Sequence, residues 1–586
     1  MRKKFYPPTI IAILVMLAAL AFLALAFLPY GPLKHLADSL MRDGNFKSLK
    51  ESNAPVFRIL LGAVGLILLG AAYAIGFGRL KQVRAWFRRF GADLTAFFNA
   101  LKPAKVDGVS LAVLLLILVL AAVFRLAHVY DVMTHDESYT FVVFSSTSLF
   151  NILTNYQLPN NHILNSLLIY FSTHLFGIQP WAIRLPALVA GLLLIPACYA
   201  AARAVYDRTT GLASALLVAI LPGAILYSTS GRGYSLVALC TLLTLWLAIY
   251  VRENKNLFAW SLIILFSALG FYSVPVMLIP FGLIFTWLFL EGLVAEPGPY
   301  GSKLGFFKYW LVAGIGTAAL VLLLYTPVFI YTGADKVFAN HWVTPEPWSG
   351  YLGTIPGQFL GVWHEWTGGL APVWGMLIIT GFVLGLIFQG RLTRVRFPLQ
   401  AAAFLWITAL LLVQRPEGVS KIWASLQAPL MIWAAAGITG LLKGLRLKFA
   451  RNASVAAVVV GLAVLIVSIE AARVVPTIPG RWAAKGAAEK SVLFIKDQLS
   501  PKDLIIIDSP YDAAVWYYSI LYGIPRDRYD NRRPFDRLLV IVSHSDGQTV
   551  QSVLKDRGPD LALVDVEAAH FLQNFQNLDT YVVPHH

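Results

Sequence analysis

Runs of about 20 apolar residues recur along almost the whole chain, and no other feature constrains its fold as strongly. A helix needs about 20 such residues to cross the hydrocarbon core of a bilayer, where its backbone N–H and C=O groups must pair within the segment. Runs of this kind fall near residues 9–28, 56–77, 109–129, 182–203, 211–228, 234–251, 258–272, 274–290, 309–330, 371–390, 397–413, 422–442 and 453–474. These imply a polytopic α-helical membrane protein with about thirteen spans. The stretch from Phe258 to Leu290 is the least regular. Gly270 and Pro275 interrupt it, and it is too long for one straight span and short for two. The first run follows Arg2, Lys3 and Lys4 as a signal peptide would. It is long, however, and Pro29-Tyr30-Gly31-Pro32 is a poor small-residue cleavage site, so a retained helix is expected.

Only 13% of the residues are charged, where a soluble domain carries about 25%. The net charge of +16 resembles a nucleic-acid signal until it is located. From Pro476 onward there are 12 Lys and Arg against 14 Asp and Glu, leaving 35 against 17 in the apolar part. The excess sits in the loops Arg79 to Lys105, Arg203 to Arg208, Arg252 to Lys255, Lys303 to Lys308, Arg391 to Arg396 and Lys443 to Arg451. Positive loops mark the cytoplasmic side, so the charge reports topology and no nucleic-acid partner is expected. With a cytoplasmic N-terminus, an odd number of spans puts the segment after Val474 outside. Cys198 and Cys240 both lie in apolar runs and read as packing residues.

The sequence divides into a two-span N-terminal extension (1–105), a transmembrane region (106–475) with long outer loops at 129–181 and 331–370, and a C-terminal unit (476–586). In the last, a helical pattern over Ser491 to Leu499 precedes an apolar strand at Leu504 to Asp508 and a helix over Tyr511 to Leu521. Leu538 to Val542, a helix near Gln548 to Lys555, and Leu561 to Val564 continue the alternation, which implies a small extracytoplasmic α/β domain.

Candidate chemistry lies in the outer loops. Thr134-His135-Asp136-Glu137-Ser138-Tyr139 sets two carboxylates at the end of a span. Carboxylates there are costly unless used or paired. They would suit a general base with a neighbour that orients substrate or a metal. An acidic turn capping the next helix would suit them equally. His162 follows Pro159-Asn160-Asn161 and opens an apolar stretch, Ile163 to Phe176, that reads as an interfacial helix. Arg232, in Ser230-Gly231-Arg232-Gly233-Tyr234, is a cation on the side that should be poor in them. It would suit a phosphate, or would snorkel to lipid headgroups. Arg184 opens another span, as a headgroup anchor or half of a buried ion pair. Lys421, in Gln414 to Lys421, adds a further outer cation. The loop from Tyr331 to Leu370 holds His341, His364 and Glu365, the residues from which a divalent-metal site would be built. None of them has recognised ligand spacing.

In this order, His135-Asp136-Glu137-Ser138-Tyr139, Asn160-Asn161-His162-Ile163-Leu164, Trp181-Ala182-Ile183-Arg184-Leu185-Pro186 and Ser230-Gly231-Arg232-Gly233-Tyr234 resemble the GT-C membrane glycosyltransferases. The family 39 branch, which includes protein O-mannosyltransferases and lipid A aminoarabinose transferases, is the nearest pattern. The resemblance spans roughly residues 109–290. It departs from the family at His162-Ile163-Leu164, where His-Pro-Pro is common, and after Tyr272, where many members carry a histidine.

The resemblance implies a polyprenyl-phosphate-linked sugar donor and a glycan, lipid or protein acceptor. An extracytoplasmic tail without disulfides suggests a multi-pass plasma membrane setting such as a bacterial inner membrane. The resemblance also implies Asp136 as base, Glu137 as a residue that binds substrate or helps orient the site, and inversion at the anomeric carbon. Substrate contacts would come from His135, Tyr139, His162, Arg184, Arg232, Tyr234 and Lys421, with Arg232, Arg184 and Lys421 on the phosphate. A transporter or flippase would also carry intramembrane charge, usually in repeated halves with broken spans. A non-catalytic scaffold of a polysaccharide assembly complex would need no catalytic acid.

Overall fold

The structure is a computed structural model that describes residues 7–39, 49–76, 80–101, 108–339, 344–368, 370–416, 418, 420–444 and 486–586. The expected span 453–474 and His341 lie outside the described residues. Among those described, seven helices are long and apolar enough to cross a membrane, or up to ten if three bent pairs each make one span. The chain is a multi-pass membrane protein, and several of the roughly thirteen expected spans are bent or short among the described residues.

Proline accounts for much of the difference, since it lacks an N–H and crowds the preceding turn. Pro222 separates Arg208–Ile220 from Pro222–Ser228, which bend by 65°. Ile10–Ala26 turns by 119° into Tyr30–Ser39 just after Pro29. The loop expected at 331–370 contains a 20-residue helix, Trp348–Thr367, bent by 111° from Pro372–Ile387. Around Pro275 the Phe258 to Leu290 stretch does split, into Leu257–Ser273 and Leu278–Val294. Leu257–Ser273 and Leu399–Gln414 are apolar but only 17 and 16 residues long.

Small residues let some helices approach closely, as is common where lipid gives no hydrophobic drive to association. A Cβ on Gly437 of Gln427–Gly444 would lie 1.9 Å from the Gly381 carbonyl oxygen on the facing helix. Arg125, fully buried at the end of Gly108–Leu126, donates to the Ala219 carbonyl at 2.9 Å. That carbonyl lies in the last turn of Arg208–Ile220, where helical acceptors lack partners in their own helix.

The C-terminal unit is α/β, as expected. Strand β1 (Leu504–Ile507) pairs in parallel with β2 (Arg537–Ser543) across the helix Asp512–Leu521. Leu561 to Val564 is not a strand: Leu561–Leu563 forms a 3-10 turn. Two strands follow instead, β3 (His570–Phe575) and β4 (Leu578–Pro584), giving the sheet order β1-β2-β4-β3. As an edge strand, β3 is largely exposed and polar, so it carries no apolar run to read.

This unit packs on the segment from Met133 to Ile183. Met133, Phe141, Ile169 and Ile183 share a core with Val515, Tyr517 and Tyr518. Tyr518 accepts the Met133 N–H at 3.2 Å, and Tyr517 donates to the Ile178 carbonyl at 3.0 Å. Arg526 donates to Ser146 Oγ at 2.6 Å.

Candidate functional site

The acidic pair lies on a short helix, His135–Tyr139, and its two carboxylates face opposite environments. Glu137 turns inward and is fully buried. Its Oε1 accepts the Thr134 N–H at 2.9 Å, so it reaches back to cap its own helix. Arg184, also fully buried, grips it twice: Nε to Oε2 at 2.9 Å and Nη2 to Oε1 at 2.5 Å. The remaining N–H groups of Arg184 reach the carbonyls of Val129 (3.0 Å), Asp131 (2.6 Å) and Val132 (3.0 Å). A guanidinium has five N–H donors, and here all five are used. This corrects two expectations. Arg184 has no donor left for a phosphate, and Glu137 has no surface for a substrate.

The Gly231 to Gly233 segment is clamped to both histidine motifs. Gly231 N–H donates to Glu137 Oε2 at 2.8 Å, and Gly233 N–H donates to His162 Nδ1 at 2.9 Å. Both approaches are close: a Cβ at Gly231 would meet Ile183 at 3.0 Å, and one at Gly233 would meet His162 at 3.2 Å, so a larger residue would need its neighbour to shift. Arg232 is held between them. Its Nη1 donates to Thr140 Oγ1 at 2.7 Å, to the Asn160 carbonyl at 2.9 Å and to Asn160 Oδ1. Its Nη2 lies 3.2 Å from His162 Nε2, and its buried Nε has no hydrogen-bond partner among the described residues.

That Arg232–His162 contact is mismatched. Burial, then the charge of Arg232, hold the His162 imidazole neutral, well below the usual histidine range. A neutral ring has one N–H and one acceptor nitrogen. Gly233 donates to one nitrogen and Arg232 to the other, so in either tautomer a donor faces a donor.

Asp136 points the other way, with 41% of its side chain exposed. Lys421, arriving on the 3-10 helix Ser420–Leu426, places Nζ 2.9 Å from Oδ2. Arg232 Nη2 is 3.9 Å from the same oxygen, and His135 Nδ1 is 3.8 Å from Oδ1. Partial burial works against ionisation, but His135, Arg232 and Lys421 outweigh it and hold the carboxyl well below the usual carboxylate range. His135 in turn is pushed up to about 9 by Asp136 and Asp512, against the effect of burial.

Tyr139 stacks beside His135 at 6.0 Å between ring centroids, and buried Tyr234 packs edge-on against His162 at 5.1 Å. Thus His135, Asp136, His162, Arg232 and Lys421 converge, with Tyr139 and Tyr234 as flanking rings. The expected metal site does not assemble among the described residues, where no group of three His, Cys, Asp or Glu side chains is placed to hold an ion. His364 is exposed, and Glu365 accepts from Tyr227 and Ser420. Asn160 stands in the Asn160-Asn161-His162 motif without an assigned role, and Thr140 and Asp512 carry no signal in the sequence. Neutral amide and hydroxyl groups in a loop carry no spacing signal, and Asp512 comes from another folding unit.

A family model described as dolichyl-phosphate-mannose-protein mannosyltransferase matches residues 160–331. That stretch includes His162, Arg184, Arg232 and Tyr234 but neither Asp136 nor Lys421. Among solved structures, ArnT from Cupriavidus metallidurans bound to undecaprenyl phosphate superposes with a TM-score of 0.51 at 12% identity, covering 82% of this chain and 98% of that one. The chain has the GT-C fold. ArnT from the same organism in the apo state matches equally, at TM-score 0.51 and 12% identity over 80% and 97% of the two chains. The GT-C likeness therefore extends over nearly the whole of ArnT. A search of curated protein sequences finds no match. At this identity the GT-C likeness is one of fold, and the chemistry rests on the residues above.

Proposed function

We propose that this protein transfers a sugar from a polyprenyl-phosphate carrier to an acceptor hydroxyl, with Asp136 as the base. The observation that carries this reading is the Arg232–His162 contact beside Asp136. An anionic oxygen that draws the Arg232 Nη2 edge away from His162 Nε2 would accept from Arg232, and from its Nε, which has no partner among the described residues, and so relieve the mismatch. ArnT was crystallised with undecaprenyl phosphate, and the matching family model describes a dolichyl-phosphate-mannose enzyme. Both agree with a polyprenyl-phosphate donor.

The arrangement also answers a difficulty. A carboxyl held far below its usual range is a weak base. In the free protein its charge is balanced by Lys421 and Arg232. When the donor phosphate arrives, these cations turn to it, and Asp136 gains proton affinity as it does so. The acceptor oxygen then attacks the anomeric carbon and its proton passes to Asp136. The bond from that carbon to the phosphate oxygen breaks, and Arg232 and Lys421 hold the released polyprenyl phosphate. One base acting opposite the leaving group gives inversion. Glu137 and Arg184 fix the backbone that presents Asp136. In this reading the site and the α/β unit face the extracytoplasmic side of a membrane such as a bacterial inner membrane, with the N-terminus cytoplasmic.

The test uses purified full-length protein in lipid nanodiscs with a radiolabelled polyprenyl-phosphate sugar. Sugar release or transfer by the wild type that disappears in a well-folded Asp136→Asn variant supports the reading. Full turnover by Asp136→Asn would sink it, as would vesicle translocation of the lipid without turnover.

A further inference from the structure

The α/β unit reaches the site through Asp512. The helix Asp512–Leu521 packs directly against His135–Tyr139, and its first residue, Asp512, is 5% exposed. Asp512 Oδ1 accepts the Ala513 N–H at 2.8 Å and lies 3.1 Å from His135 Nε2. The other ring nitrogen, Nδ1, faces Asp136 Oδ1 at 3.8 Å. An ionised carboxylate can only accept, so a ring with a carboxylate at each nitrogen favours a proton on both. The remaining charged and titratable neighbours are few. Tyr139 stacks beside the ring from the same helix. Arg557 approaches Asp512 Oδ2 at 4.0 Å but is paired to Asp508 at 2.7 Å. Arg232 and Lys421 approach Asp136 through Oδ2, the oxygen that His135 does not face.

We propose that Asp512 is a positioning residue for the transfer reaction: through His135, it holds a cation against Asp136. This rests on the reading of Asp136 as the base. Its use appears once the donor is bound. Lys421 and Arg232 have then turned to the phosphate, and Asp136 stands in a partly buried site near a new negative charge. Both effects favour its protonated form, which cannot act as a base. His135 is the cation that stays. It keeps Asp136 ionised and aimed, and it does so because Asp512 keeps His135 charged. The site is then incomplete without the C-terminal unit, although that unit is remote in sequence from every other residue of the cluster.

The experiment is the pH dependence of the transfer rate in full-length protein. His135 titrates at about 9 in the intact arrangement. The wild-type rate should fall on the alkaline side as that proton is lost. Asp512→Asn removes a carboxylate that favours the charged ring, so the alkaline limb should move down toward the ordinary histidine value. For a limb that moves from about 9 to about 7, the rate at pH 8 drops roughly tenfold. Asp512→Glu should restore most of it. His135→Gln should lower the plateau and abolish the limb, and the His135→Gln/Asp512→Asn double variant should match His135→Gln alone.

An alkaline limb unmoved in Asp512→Asn, or additive losses in the double variant, would overturn the proposal. If Asp512→Asn does not fold, a limb that persists in His135→Gln overturns it equally. Failure of the base assignment is separable, because it shows as turnover by Asp136→Asn. A dead Asp136→Asn with an unmoved limb in Asp512→Asn sinks only the role of Asp512.

Discussion

Arg184 closes around Glu137 through two hydrogen bonds, Nε to Oε2 at 2.9 Å and Nη2 to Oε1 at 2.5 Å, with both side chains fully buried. Breaking one side of such a pair leaves an uncompensated buried charge, which costs about 3–5 kcal/mol. Glu137→Gln and Arg184→Met should therefore each lower the thermal unfolding midpoint of the detergent-solubilised protein. Glu137→Leu with Arg184→Met, which removes both charges, should recover part of that loss. Loss of activity at unchanged stability in Glu137→Gln would instead assign Glu137 to substrate contact.

Arg232 is expected to bind through its planar fork, not through charge alone. Arg232→Lys keeps the cation but cannot hold Asn160 and a phosphate together. A charge-assisted hydrogen bond is worth about 1.5–3 kcal/mol, so affinity for undecaprenyl phosphate should fall roughly 10- to 100-fold. Equilibrium binding in nanodiscs reads this directly. An unchanged dissociation constant would remove Arg232 from the phosphate.

General-base catalysis contributes about 10²–10⁴-fold. Asp136→Asn should lose at least that much turnover while binding the donor with near wild-type affinity, since Lys421 and Arg232 remain. Analysis of the product anomer should find inversion. Retention would require a covalent sugar intermediate and would overturn the single-displacement reading.

The His135–Asp512 contact should also make docking of the α/β unit depend on pH. The folded protein raises His135 from 6.5 to about 9. Its stabilising contribution is therefore complete below about 6.5 and is lost as pH rises through 9. Comparing thermal unfolding of wild type with His135→Gln from pH 6 to 10 isolates this group. The two curves should differ at pH 6 and converge at the alkaline end.

Much of the membrane region was legible because long apolar runs admit few outcomes. Runs such as 109–129, 182–203 and 234–251 correspond to helices Gly108–Leu126, Pro180–Val205 and Tyr234–Glu253. The helix Trp348–Thr367 was not legible, because its glycines, its tryptophans and Pro356 read as loop and membrane-belt residues. The candidate residues were visible as charges in unexpected places, but their division of labour was not. Arg184 and Arg232 look alike in the sequence, each a cation near the end of an apolar run. In the structure one spends every donor on Glu137 and backbone carbonyls, and the other sets Nη2 against His162 and keeps an Nε with no partner among the described residues.

By itself, the sequence determined a polytopic helical chain with a C-terminal α/β unit, and an acidic pair just after the apolar run 109–129 with cations further along. Hydrophobic length and residue type suffice for that, since both are local. Only the tertiary structure decided that Glu137 is locked inside while Asp136 meets Lys421, 285 residues away, and that Asp512 reaches His135 from 377 residues away. Hydrogen bonds and ion pairs act over a few ångströms, so which charges are spent and which remain for a ligand depends on contacts that sequence spacing does not record.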